Sequence, residues 1–135
     1  MASPDDGPSS ETVTRGVRVH VRSAFLPEHS RDDDHRFAFS YTVTISNEGA
    51  EPATLIARHW VITDSNGYVE QVRGPGVVGF QPSLPVGESF TYTSGAVLRT
   101  PTGMMHGEYL MERPDGRRFD ANIAPFALVT PESLQ

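Results

Sequence analysis

The stretch Phe37-Ala38-Phe39-Ser40-Tyr41-Thr42-Val43-Thr44-Ile45 decides the fold. Phe37, Phe39, Tyr41, Val43 and Ile45 take alternate positions, with Ala38, Ser40, Thr42 and Thr44 between them. Successive side chains leave a pleated backbone on opposite sides, so this period of two describes a strand buried on one face. Aromatic and β-branched residues dominate, and these pack well on a pleated surface. The segment predicts an antiparallel strand with one dry and one wet face.

The same rhythm runs outward in both directions. Upstream, Val17, Val19 and Val21 alternate with Arg18, His20 and Arg22. Downstream, "ATLIARHWVITD" is apolar on both faces near Trp60, as a central strand would be. Asn66-Gly67 is a strong hairpin signal and leads into "YVEQVR". "ESFTYTSG" aligns Phe90 with Tyr92; "MMHGEYLMER" aligns Met105, Tyr109 and Met111; "RRFDANI" turns Phe119, Ala121 and Ile123 inward. With 11 Pro and 12 Gly cutting the chain and no helical stripe, about seven short strands predict an antiparallel β-sandwich. Residues 1–11 are rich in Ser, Pro, Gly and Asp and read as a disordered tail, residues 12–130 as one domain, and 131–135 as a C-terminal tail.

Composition removes several chemistries. The chain has no cysteine, so it has no disulfide, thiolate metal site or cysteine nucleophile, which suits the cytosol. All 11 basic residues are arginine, so neither a Schiff-base lysine nor a phosphate-loop lysine exists. A net charge of -6 disfavours nucleic acid as a partner, because such binding needs a concentrated basic surface. No apolar run reaches the roughly 18 residues of a membrane-spanning helix, and the first residues lack the basic and apolar regions of a secretory signal.

Gly74-Pro75-Gly76-Val77-Val78-Gly79 spells G-x-G-x-x-G. A dinucleotide fingerprint needs a helix after the glycines, because its N-terminal amides hold the pyrophosphate. Pro82 and Pro85 forbid one here. The segment therefore reads as a glycine-rich connection between strands. A subsidiary reading keeps a phosphate-containing small molecule in view: the backbone amides of Gly74, Gly76, Val77, Val78 and Gly79, with Arg73 beside them, would form an anion-binding nest.

No other constellation carries chemistry. His20, His29, His35, His59 and His106 show no metal-ligand spacing, and His59, alternating with Leu55, Ala57 and Val61, is expected to be hydrogen-bonded and mostly buried. Asp32, Asp33, Asp34 and His35 form a charged loop whose consecutive carboxylates lack the spacing of a calcium or magnesium site; direct cation binding there is a second alternative. Ser83, Ser89 and Ser94 have no nucleophile-elbow context, and Glu88, Glu108 and Glu112 no spacing that demands acid–base work. No catalytic residue, metal ligand or cofactor is assigned.

Arg58-His59-Trp60, the turn at Gly67, the GxGVVG segment, Gln81-Pro82, Gly87-Glu88, Tyr92-x-Ser94-Gly95 and Gly103-x-Met105-x-Gly107-x-Tyr109-x-Met111 follow one another in a specific order. In that order, over residues 11–130, the chain resembles the bacterial ApaG family. It departs from the family pattern at Pro75, Phe80 and Ala124; the first two replace commonly acidic positions, which weakens any cation role for the loop. The resemblance implies a fibronectin type III/immunoglobulin-like sandwich and a family associated with cobalt tolerance and magnesium efflux, without a defined molecular activity. It also implies a gene neighbouring a diadenosine tetraphosphate hydrolase, and related eukaryotic domains that serve as protein-binding modules. The expectation is a non-enzymatic, cytoplasmic protein-binding module. Its partner is an unidentified protein, and its edge strands leave room for a homodimer.

Overall fold

A computed structural model describes residues 7–134, and within them the chain forms two antiparallel sheets packed face to face. Strands β1 (Ser9–Thr14), β2 (Val17–Phe25), β3 (Phe37–Asn47), β4 (Ala53–Asp64) and β5 (Val69–Pro75) are followed by the short β6 (Ser83–Leu84). Then come β7 (Ser89–Leu98), β8 (Thr102–Glu112) and β9 (Arg118–Val129). One sheet has the order β1-β2-β3-β7; the other runs β5-β4-β8-β9, with β6 beside the start of β4. This is an all-β sandwich of the fibronectin type III and immunoglobulin kind.

All seven expected strands are present, and the structure adds β1 and β6. The tail expected through residue 11 is therefore too long, because Ser9, Ser10 and Glu11 already pair with Arg22, Val21 and His20 of β2. Periodicity could not reveal this strand, since its positions carry Ser, Glu and Thr with the single apolar Val13, which is exposed. Residues 1–6 lie outside the described residues. At the other end, Pro131–Leu134 form a turn of 3-10 helix.

The alternation of β3 becomes the core: Phe39, Tyr41, Val43 and Ile45 are buried against Val17, Val19 and Val21 of β2 and the inner face of the second sheet. At about 1.5–3 kcal/mol for each large apolar side chain, these positions are the main source of stability. Trp60 sits at the centre, with ring centroids 5.1 Å from Tyr41, 6.2 Å from Tyr109 and 5.9 Å from Phe126, all met edge-on. Gly107 lies opposite Trp60 on β8, and a Cβ there would come within 1.9 Å of the His59 carbonyl oxygen. Only glycine lets the two central strands approach this closely.

A β-bulge at Ile56 controls which way β4 faces. Leu55 pairs with Met111, yet Ala57 pairs with Leu110, so Ile56 is an extra residue on β4. One inserted residue reverses the alternation beyond it. Leu55 and Trp60 therefore share the inner face although one is odd and the other even, while His59 turns outward. A second irregularity, opposite His106, brings Ala124 and Pro125 of β9 into a bulge and restores Phe126 to the core.

Candidate functional site

The two long sides of the sandwich are built differently. On one side β9 lies against β1 and β2. The Ser10 hydroxyl donates to the Ala124 carbonyl at 2.7 Å, the buried Ser23 hydroxyl donates to the Ala127 carbonyl at 2.7 Å, and the Asn122 amide donates to the Thr14 hydroxyl at 3.1 Å. Side chains of one sheet thus satisfy backbone groups of the other. On the opposite side, β5 and β7 end their sheets across a gap. Among the described residues no strand pairs with the outer edge of either, β7 bonding only β3 and β5 only β4.

Aromatic and aliphatic side chains hold this side apart. Phe80 stacks obliquely on Phe90 at 6.3 Å, at the end where β5 leaves its sheet and β7 begins. At the other end Ile62, Tyr68, Val97 and Leu98 line a cleft of about 200 Å³, into which Asp64, Glu70 and Arg99 also project. Four of the eight exposed large apolar residues (Tyr68, Val78, Phe80 and Val97) lie along this side, which makes their gathering a feature of the surface rather than scatter.

Behind the gap lies a polar seam. Tyr92 of β7 and Tyr109 of β8 share a short hydroxyl–hydroxyl hydrogen bond across the sheets, and Tyr41 sits beside Ser94. Burial pushes all three tyrosine pKa values up, because phenolate is poorly solvated there. Arg58, turned inward by the bulge, lies over Gly74 and donates from one nitrogen to the Pro75 and Gly76 carbonyls, each at 3.0 Å.

That contact decides the shape of the Gly74–Gly79 segment. A Cβ on Gly74 would come within 2.8 Å of the Arg58 guanidinium, and one on Gly76, at φ +59°, within 2.1 Å of the Phe80 carbonyl oxygen. The Gly76 amide donates to the Ile56 carbonyl at 2.9 Å and the Val77 amide to the Phe80 carbonyl at 2.8 Å, while the Val77 side chain is fully buried. Two of the amides expected in an anion nest therefore hold the loop to itself. Val78 and Gly79 both have positive φ, at 43° and 87°, and complete a tight turn. Arg73 stands on the outer face opposite His59. With Ala57, His59, Gly74, Pro75, Glu108 and Asp120 it lines an open groove of about 460 Å³.

In that groove His59 is held from both sides, its Nδ1 2.8 Å from a Glu108 oxygen and its Nε2 2.8 Å from the Gln71 side-chain oxygen. The expected hydrogen-bonded, mostly buried histidine is present, on the outer face rather than the core face. Its alternation with Leu55 stops at the bulge, a signal that spacing alone does not carry. Both ring nitrogens are engaged, which suits bracing three strands rather than receiving a ligand. The Asp32–Asp34 loop is an exposed 3-10 turn ended by His35 in the left-handed region. Among the described residues no three His, Asp or Glu side chains gather to hold a metal ion. No helix among them is long and apolar enough to cross a membrane.

Residues 27–113 match the family model of the ApaG domain. The chain belongs to the ApaG family. It is 56% identical over 125 residues to Protein ApaG of Anaeromyxobacter dehalogenans strain 2CP-C, covering 93% of this chain and 98% of that one. It is 54% identical over 118 residues to Protein ApaG of Pseudomonas syringae pv. tomato, covering 87% and 94%. A crystal structure of a Bordetella pertussis protein described as ApaA superposes with a TM-score of 0.82 at 44% identity, covering 93% of this chain and 97% of that one. For an ApaG domain, the Gly74–Gly79 segment thus has a structural duty in full view: it anchors Arg58 and sets the border of the open side.

Proposed function

We propose that the protein is a non-enzymatic binding module whose open side, between β5 and β7, receives a partner protein. The observation that supports this is the concentration there of Tyr68, Val78, Phe80 and Val97 beside two sheet edges without a pairing strand among the described residues. Apolar side chains supply affinity when a partner excludes water from them, and unpaired backbone groups supply direction. The groove around His59 offers mixed charge, the two carboxylates of Glu108 and Asp120 facing Arg73, and no nucleophile. The family's association with cobalt and magnesium then acts through the partner, in the cytoplasm, rather than through ions held by this chain.

Capture from cell extract tests the reading. The wild-type protein should retain a partner in stoichiometric amount, and Phe80→Asp should lose it while still unfolding in one cooperative melt, because Phe80 is 61% exposed and gives up only its contact with Phe90. Absence of a stoichiometric partner across several growth conditions, or equal retention by the variant, would refute it.

A further inference from the structure

Four strands end the two sheets, and three of them are protected. β9 carries Pro125 and is bonded by Ser10, Thr14 and Ser23, while β1 carries Glu11, paired with Arg18 at 3.0 Å. β5 contains Glu70, Arg73 and Pro75. Charge, proline and cover are the devices that prevent a sheet edge from adding another strand. β7, Ser89-Phe90-Thr91-Tyr92-Thr93-Ser94-Gly95-Ala96-Val97-Leu98, has none of them: ten residues without a charge or a proline, and an outer edge that no described residue covers.

We infer that a second copy of this chain occupies that edge, β7 pairing antiparallel with the β7 of its partner about a two-fold axis at Thr93. This rests on the reading of the open side as a binding surface and names its first occupant. The register follows from side-chain size. With Thr93 opposite the partner's Thr93, the inner-face residues Phe90 and Tyr92 lie opposite the partner's Ala96 and the partner's Ser94, so that each large side chain meets a small one. Moving the axis to Tyr92 sets that ring against its own copy, and moving it to Ser94 sets Phe90 against the partner's Leu98. On the outer face Thr91 meets the partner's Gly95. The hydroxyl pairs already formed across β3 and β7, Thr42 with Thr93 at 2.9 Å and Thr44 with Thr91 at 3.1 Å, continue into the Thr93 pair. The charges that flank the strand agree with an antiparallel arrangement. Exposed Glu88 precedes β7 and exposed Arg99 follows it, so each Glu88 is brought near the partner's Arg99 at both ends. Two four-stranded sheets then become one of eight strands, with both β7 edges satisfied.

The absence of cysteine makes the test direct. Light scattering with size exclusion at tens of micromolar should find a dimer for the wild-type protein and a monomer for Thr93→Lys, since a lysine pair at the axis repels itself. Thr93→Cys should cross-link to itself with a short bismaleimide, whereas Thr91→Cys, on the same face, should not. Its copies lie four residues apart along paired strands, about 13 Å. Circular dichroism and melting establish that the variants fold. A wild-type monomer, equal cross-linking at both positions, or a Thr93→Lys variant that remains dimeric would each overturn the pairing. These failures are separate from failure of the wider reading, which is judged by the extract partner and Phe80→Asp.

Discussion

Along one side of the sandwich, hydroxyls of Ser10, Thr14 and Ser23 reach from the β1–β2 pair to the backbone of β9; along the other, β5 and β7 face each other with aromatic rings between them. Both sides close the same hydrophobic core, so the difference is not one of burial but of side-chain length. A serine or threonine lets two sheets approach until hydroxyl meets carbonyl, whereas Phe80, Phe90 and Tyr92 keep the sheets apart and place their polar contact, Tyr92 with Tyr109, inside the gap. A sandwich can thus be sealed along one side and left open along the other, within one short domain.

The largest effect expected on this contrast comes from alkali. Tyr92 and Tyr109 keep their protons in the folded state well above the ordinary value of 10.0, through burial, while the unfolded chain ionises near that value. A raised folded pKa gives stability that is complete below pH 10 and lost as pH rises beyond it. Tyr92 and Tyr109 together account for a loss of about 3 kcal/mol per pH unit, and Tyr41, which burial also raises, adds to it. Denaturant titrations at pH 9, 10 and 11 should show it, and Tyr92→Phe should lower the slope by about 1.4 kcal/mol per pH unit. An unchanged slope in Tyr92→Phe would mean that the seam is wet.

Next is Asn47, fully buried at the end of β3. Its Nδ2 donates to the Glu51 and Leu84 carbonyls at 2.8 and 2.9 Å, and its Oδ1 accepts from the Gly49 amide at 3.1 Å. This one side chain ties the first sheet to β6, at the foot of the open side. Asn47→Leu would strand three backbone groups and should cost about 3 kcal/mol in equilibrium unfolding. A smaller cost would show that β6 and the gap are held chiefly by packing.

Ser23→Ala examines the sealed side. It leaves the Ala127 carbonyl without its donor in a site that excludes water, for a loss of about 1–2 kcal/mol. Native-state hydrogen exchange should rise in β9 and stay unchanged in β5. Equal changes in both would mean that the two sides open together.

The smallest effect is expected from phosphate ligands. Because Gly76 and Val77 spend their amides on Ile56 and Phe80, titration with ATP to millimolar concentration should leave the amide resonances of Gly74 to Gly79 in place. Shifts centred on those amides would show that the loop opens to receive an anion and would reinstate the nest.

Much of the architecture is legible in the chain because burial writes itself in period two. The inward residues of β2, β3, β8 and β9 are read directly, and the Asp64–Gly67 turn is announced by Asn-Gly; Gly67 takes φ +86° and the Asp64 carboxylate accepts the Asn66 and Tyr68 amides. What is missed has identifiable causes. β1 carries one apolar side chain, the exposed Val13, so nothing periodic in it distinguishes it from a tail. The bulge at Ile56 carries no compositional mark, so the outward turn of His59 and the inward turn of Arg58 follow only from the pairing of β4 with β8. Asn47 continues no apolar pattern, and its role as a buried tie follows only from the carbonyls that the fold brings to it.

The sequence by itself determines the fold class, the family and the chemistries that are unavailable, since alternation, ordered motifs and missing residue types are all local or additive properties. The tertiary structure alone decides which side is sealed and which is open. That depends on how far apart two sheets come to rest, and on which carbonyls a guanidinium or hydroxyl then reaches. The Gly74–Gly79 segment shows both levels: its glycines are written in the chain, but the reason for them, Arg58 lying across Gly74 and the Phe80 carbonyl pressed against Gly76, exists only once the strands have paired.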